Sequence, residues 1–259
     1  MTRTAPRSAE ITWLPRVLSW VITAGYSCLA RRRVEGLHRL PADGACVVVP
    51  NHVTEIDPLT VALTIFDAGR VPRFLAKESL FRIPVLGALL HRTRQVPVHR
   101  SSHSSVKALA SARERLGEGG CVVVYPEGTL TRDPLRWPMH GYPGAARLAL
   151  ALGVPLIPVA HWGDHEILGR DADWRIRLSL RPRRTVRVRV GAPVDLSRWR
   201  PDPQTMAGLA PQQRLAAVPH RHAVAATDAV LDAIAAELSV LRQEPVPAAR
   251  WDSRRKDYR

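Results

Sequence analysis

The 259-residue sequence predicts an α/β fold, a mixed and mostly parallel central sheet flanked by helices, with an N-terminal helix lying in a membrane interface. Three observations predict it. Short apolar runs alternate with helical patterns from Gly36 onward. Two of those runs, Ala45-Cys46-Val47-Val48-Val49 and Cys121-Val122-Val123-Val124-Tyr125, offer no polar face to water, as strands covered on both sides should not. Near the start, Val17 to Ala30 is uncharged and is followed by Arg31-Arg32-Arg33.

Taken in order, the Val17–Ala30 run is about 14 residues long, short of the ~20 that span a bilayer. Trp13, Trp20 and Tyr26 are the amphipathic aromatics favoured at a membrane–water boundary, and the arginines suit anionic headgroups. A helix packed on the protein's own core is the alternative. Ala45–Val49 is the first buried strand. Pro58 to Asp67 reads as a helix, with Asp57 as its cap and Pro58 at the first helical position. Val71–Ala76 and Gln95–His99 read as strands, the second an edge strand because Pro97 cannot donate to a ladder. Ser104–Leu116 is a helix ended by glycines, and Cys121–Tyr125 the second buried strand. Gly144–Leu152 is a helix stopped by Gly153, and Pro155–Ala160 a further strand.

Arg175–Leu180 and Thr185–Val190 both alternate with period two, predicting a hairpin through Arg181-Pro182-Arg183-Arg184 with arginines 175, 177, 187 and 189 on one face. A proline-containing linker from Pro193 to Pro211 leads to a helical stretch, Gln212–Gln243, interrupted near Pro219. The tail from Glu244 is expected to be mobile.

Composition narrows the function. A hydrophobic share of 46% excludes wholesale disorder. Cys28, Cys46 and Cys121 are too few and scattered for a disulfide framework or a zinc site. Cys46 and Cys121 read as buried core thiols, which fits a reducing compartment. The net charge of +15 is almost all arginine, with Lys77, Lys107 and Lys256 the only lysines. Nucleic acid, an anionic membrane surface and phosphorylated substrates are the partners such a charge suits. No nucleic-acid reader motif occurs and the arginines show little aromatic interleaving, so nucleic acid is set aside.

Chemistry-bearing residues follow the strand ends, where open α/β sheets bind ligands. Asn51-His52-Val53-Thr54-Glu55-Ile56-Asp57 comes directly after the first buried strand. An imidazole suits proton transfer near neutrality, and a carboxylate a few residues on can accept its other N–H and fix its tautomer. Asp57 can do this while also capping a helix. Tyr125-Pro126-Glu127-Gly128-Thr129 follows the second buried strand. Gly128 permits close backbone approach to a ligand, Thr129 adds a hydroxyl, and Arg132 is suited to bidentate phosphate binding. Arg92, Arg94 and Arg100 bring positive charge to a third strand end, where Arg100 would otherwise be a solvated charge.

Together these segments resemble the glycerophospholipid acyltransferase family, specifically its 1-acylglycerol-3-phosphate (lysophosphatidate) acyltransferases. Asn51-His52 to Asp57 matches the family's NHxxxxD box. Gln95–Arg100 is similar to its second box, Tyr125–Thr129 to its aromatic-Pro-Glu-Gly-Thr box, and Val154-Pro155-Leu156-Ile157-Pro158-Val159 to its fourth. The resemblance implies transfer of an acyl group from acyl-CoA or acyl carrier protein to the sn-2 hydroxyl of lysophosphatidate, or to another lysophospholipid or polyol. It makes His52 the general base, oriented by Asp57. Arg100, Glu127, Gly128, Thr129 and Arg132 would bind the acceptor, and Pro155, Ile157 and Pro158 would shape the acyl-donor side.

No metal and no cofactor beyond the acyl thioester is implied. An N–H near Val53 is the expected oxyanion donor. Residues 1–35 would associate with the membrane, 36–200 form the catalytic domain and 201–259 a helical extension and tail. The expected location is the cytoplasmic face of the cell membrane, peripheral or monotopic. Leu130 stands where the family usually has arginine, and His140-Gly141-Tyr142-Pro143-Gly144 lacks the lysine often found before that glycine. A non-catalytic binder of anionic membranes and an acyl-thioester hydrolase are the competing readings.

Overall fold

A computed structural model describes residues 13–98, 102–170, 174–179, 184–253 and 255–258. The chain opens with α1 (Trp13–Leu29), runs into β1 (Ala30–Glu35), then β2 (Cys46–Pro50), α2 (Asp57–Asp67) and β3 (Pro72–Lys77). Two helices, α3 (Glu78–Phe81) and α4 (Pro84–Arg92), precede β4 (Val96–Val98), α5 (Ser102–Gly117) and β5 (Cys121–Val123). Then come α6 (Gly144–Leu152), β6 (Leu156–Trp162), β7 (Leu168–Arg170), β8 (Ile176–Leu178) and β9 (Arg184–Val190). The C-terminal part is α7 (Pro203–Ala207), α8 (Pro211–Ala217), α9 (His220–Arg242), β10 (Trp251–Asp252) and β11 (Asp257–Tyr258).

Seven strands form one sheet in the order β1-β9-β6-β2-β5-β3-β4. The five from β6 to β4 are mutually parallel, and β9 joins antiparallel to β6 with β1 parallel to it. The apolar runs have a simple cause. Val47, Val49 and Val122 pack against α6 and α9, while Cys46, Val48, Cys121 and Val123 pack with Val61, Leu63 and Ile65 of α2. Both faces of the central strands are therefore dry, and alternation vanishes from the sequence. The edge position of β4 accommodates Pro97. At the rim where β2 and β5 begin, buried Arg70 bonds the carbonyls of Pro41, Gly44 and Gly119 at 2.9, 2.7 and 2.8 Å and staples these loops together. Functional groups gather at the opposite rim.

Three expectations are corrected. β8 does not form a hairpin with β9: it pairs antiparallel with β7, whereas β9 lies between β1 and β6. Alternation fixes which face is apolar but not the partner. Val186, Val188 and Val190 are wholly buried, while Ile176 and Leu178 stay exposed. Of the expected connection, Arg181 to Arg184, residues 181–183 are outside the described residues and Arg184 opens β9.

The arginine face of β9 is partly neutralised too, since Arg189 pairs with Glu237 of α9 and with Glu35. The C-terminal tail docks back on the body: Arg250 pairs with Asp228 and Asp232, and the Tyr258 hydroxyl donates to Asp133 at 2.5 Å. Finally, Asp57 is the first residue of α2 rather than its cap, and its carboxylate turns back onto the preceding loop.

Candidate active site

β2 ends at Pro50, and the next two residues are fixed from the side by β6. The Asn51 amide bonds both backbone groups of His161, accepting from its N–H at 2.9 Å and donating to its carbonyl at 3.1 Å. The loop then turns over the start of α2. Asp57 Oδ2 accepts from His52 Nδ1–H at 3.0 Å and from the Val53 and Thr54 N–H groups at 2.5 and 2.8 Å. Its Oδ1 accepts from the Thr54 hydroxyl at 2.6 Å.

This arrangement engages the Val53 N–H itself, so of the backbone groups near Val53 that one is not free for a thioester oxyanion. It also fixes the His52 tautomer: with Nδ1–H on the carboxylate, the neutral ring presents a lone pair at Nε2. Burial alone would raise the Asp57 carboxyl. The charge of His161 and the hydrogen bonds from His52 and Thr54 outweigh it and hold Asp57 below the ordinary carboxylate range.

Tyr125, past the end of β5, stacks on the His52 ring with centroids 4.0 Å apart. Gly128 follows in a left-handed turn, φ +67°, where a side chain would press on the Tyr142 ring. Thr131 N–H bonds the His52 carbonyl at 2.7 Å, bringing the two chemistry-bearing loops together. Glu127 is buried beneath residues 131–139, where its Oε2 accepts from Met139 N–H at 3.0 Å. Burial pushes its pKa up to about 8 despite that bond, so the group is mostly the neutral acid at neutral pH.

Because the folded-state pKa of Glu127 is raised above 4.5, stability is lost as pH rises toward 8. Glu127→Gln is therefore expected to melt several degrees above the parent at pH 8 but not at pH 4.5, as scanning calorimetry over that range will show.

A cavity of about 550 Å³ opens beside His52, Tyr125 and Gly128. Its walls are almost wholly apolar, built from one face of α1 (Leu18, Ile22), from α2 (Ala62, Phe66) and from α4 (Leu86, Leu90). The other face of α1 points outward, with Trp13 and Trp20 each 72% exposed alongside Val17 and Val21. Ile83 and Val85, at the start of α4, are exposed as well. Among the described residues no helix is long and apolar enough to cross a membrane.

The remaining expected residues are more dispersed. Arg132 is exposed, its guanidinium 5.9 Å from the Trp174 ring centre. Arg170, which sequence reading did not single out, lies 5.5 Å from the same ring and pairs with Glu55 of the His52 loop. Thr129 is half-buried in the Gly128 turn. Ile157 is in the core, and neither it nor Pro155 and Pro158 lines the cavity at His52. Pro155 lies at the sheet rim opposite His52, since its carbonyl accepts from Val47 N–H near the start of β2. Arg100 is outside the described residues. His161 and Asp164 were also missed. Their signal is a His-x-x-Asp spacing at the end of a buried strand, the same kind of position that drew notice to His52.

Residues 31–162 match the sequence profile of the family described as Acyltransferase. The chain belongs to that family. Its acyltransferase domain is 32% identical over 137 residues to a chloroplastic 1-acyl-sn-glycerol-3-phosphate acyltransferase of Brassica napus, covering 52% of this chain and 38% of that protein. It is 31% identical over 148 residues to a 1-acyl-sn-glycerol-3-phosphate acyltransferase of Borreliella burgdorferi, covering 57% of each. The chain thus spans well under two thirds of these relatives. The acyltransferase fold is similar to the crystal structure of the 1-acyl-sn-glycerophosphate acyltransferase PlsC from Thermotoga maritima. The TM-score is 0.58 at 22% identity, over 93% of this chain and 80% of that one.

Proposed function

We propose that the protein transfers a fatty acyl group from a thioester of coenzyme A or acyl carrier protein to the sn-2 hydroxyl of 1-acylglycerol-3-phosphate, giving phosphatidate. The observation that carries this reading is the placement of His52, held by Asp57, on the wall of an apolar cavity of about 550 Å³. The cavity suits the acyl chain, each buried methylene contributing about 0.8 kcal/mol. His52 Nε2 takes the proton of the acceptor hydroxyl as its oxygen attacks the thioester carbonyl. The C–S bond then breaks, and the imidazolium, held by Asp57, returns the proton to the departing thiolate.

Transfer is direct. No Gly-x-Ser-x-Gly elbow occurs in the sequence, and Cys46 and Cys121 are wholly buried core thiols. The glycerol-phosphate end is assigned to Glu127, Gly128, Thr129, Arg132 and Arg100, with Arg170 as a further cation near the His52 loop. As a neutral acid, Glu127 does not repel the phosphate. Thiol release from acyl-CoA measured with and without lysophosphatidate tests the reading. Release that depends on acceptor supports it, and equal release in its absence indicates a thioester hydrolase.

Attachment is assigned to α1 lying in the interface of an anionic membrane, at the cytoplasmic face. Its two sides suit the two jobs: Leu18 and Ile22 face the cavity, while Trp13 and Trp20 face out. Fully burying a large apolar side chain contributes about 1.5–3 kcal/mol, so the double variant Trp13→Ala/Trp20→Ala is expected to bind anionic vesicles roughly 100-fold more weakly. Vesicle co-sedimentation measures this, and unchanged binding places the membrane contact elsewhere.

A further inference from the structure

His161 is the penultimate residue of β6, its ring is wholly buried, and the chemistry above makes no use of it. Both ring nitrogens face acceptors. Nε2 is 2.8 Å from the Asn51 carbonyl oxygen, and Nδ1 is 2.7 Å from Asp164 Oδ2. A neutral imidazole has one N–H and would set a lone pair against one of those oxygens. Asp164 itself sits as a carboxylate does, its Oδ1 receiving the Thr60 hydroxyl and, at 3.4 Å, the Tyr26 hydroxyl. Tyr26, on α1, also bonds Thr60 Oγ1 at 2.7 Å. On its other side His161 Nε2 lies 3.8 Å from Asp57 Oδ2, the same oxygen that holds His52.

We propose that His161 is a positioning residue for acyl transfer: a doubly protonated ring that anchors the loop bearing His52, faces the Asp57 carboxylate, and is tied through Asp164, Thr60 and Tyr26 to α1. The proposal rests on the assignment of His52 as base. With both N–H groups engaged the ring has no lone pair for a cation, although ligand atoms of Asp57, His161 and Asp164 lie within 4.8 Å of one another. The charges then balance during reaction. Two carboxylates and one imidazolium leave the buried cluster with one net negative charge, and protonation of His52 cancels it, which a low-dielectric site favours.

The neighbouring groups fit this account. Burial opposes the charge on His161, yet Asp57 and Asp164 raise its pKa to about 9. Burial and the nearby Asp57 and Asp164 raise Tyr125, burial and Asp164 raise Tyr26, and both stay neutral. Burial and Arg136 lower His165 to about 4, which leaves it uncharged. From the side of β1, Arg32, paired with Asp67, is a cation whose charge acts on Tyr26 and Asp164.

Two measurements on the full chain in detergent test the proposal. Side-chain ¹⁵N spectra of wild type and His161→Gln identify the His161 ring by difference, and two bonded protons are expected at neutral pH. Steady-state kinetics across pH then give the role. His161→Gln should lower kcat roughly tenfold or more, leave KM for acyl-CoA within about twofold, and move the acid limb of kcat/KM to higher pH, because the His52–Asp57 pair takes up a proton more readily without the buried cation beside it. Tyr26→Phe, which removes one hydroxyl and keeps its volume, should shift the limb in the same direction by less, and it serves if His161→Gln does not fold. A singly protonated ring, or lost activity with an unmoved acid limb, overturns the proposal. A wild type that transfers no acyl group overturns the assignment of His52 and this role with it. An active wild type matched by His161→Gln overturns this role alone.

Discussion

His52→Ala is expected to lower kcat/KM for acyl transfer by about 10²–10⁴-fold, the range that a positioned base contributes. In free energy that is about 3–5 kcal/mol of transition-state stabilisation, supplied by one side chain. The fold should be little disturbed. The His52 side chain is already 17% exposed, and Asp57 keeps the Val53 N–H, the Thr54 N–H and the Thr54 hydroxyl as partners after truncation. Tyr125 loses its stacking partner but retains Phe74, whose ring centre is 6.5 Å away. Loss of thiol release in a variant that melts within a few degrees of wild type and still binds vesicles therefore reports on chemistry. Activity near the wild-type level would remove His52 from the mechanism.

Asp57→Asn should lower both activity and stability. Activity is expected to fall by up to about 10⁴-fold, as when the orienting carboxylate of a histidine base is lost. Stability falls too. Asp57 is fully buried, its two oxygens take four hydrogen bonds, and it faces the buried His161. An amide can replace one acceptor oxygen but not the charge, and breaking a buried ion pair costs about 3–5 kcal/mol. For a chain of this size that corresponds to a drop in Tm on the order of 10 °C. Paired calorimetry and kinetics on the two variants separate the groups: the expected pattern is loss of the reaction alone for His52→Ala, and loss of both the reaction and the loop that carries it for Asp57→Asn. Equal melting temperatures for Asp57→Asn and wild type would contradict the four-bond geometry.

Much of this was legible in the sequence, for local reasons. Val47–Val49 and Cys121–Val123 announced themselves because central parallel strands bury both faces, and a strand end followed by His52 or Glu127 marks the crevice rim. Spacing alone set His52 against Asp57, since both belong to one turn of chain. What failed was non-local. His161 meets Asn51 only because β6 lies beside β2, a neighbourhood made by the sheet order and not by any motif. The alternation of Ile176–Leu178 and of Val186–Val190 was read correctly as strand and wrongly as one hairpin, because period two carries no information about partners. The docking of the tail rests on single contacts, Tyr258 to Asp133 and Arg250 to Asp228, that no composition signals. In α1, Tyr26 and Ile22 pack inward while Trp13 and Trp20 remain outside, a division that the uniformly uncharged run does not mark.

The most direct measurement is the identity of the product. The purified chain is incubated with acyl-CoA and a panel of lysophospholipids, and the lipids are analysed by mass spectrometry. Phosphatidate formed from lysophosphatidate in preference to the other acceptors, and absent with His52→Ala, is the expected result. Free fatty acid as the sole product, or phosphatidate formed equally well by His52→Ala, would contradict the account.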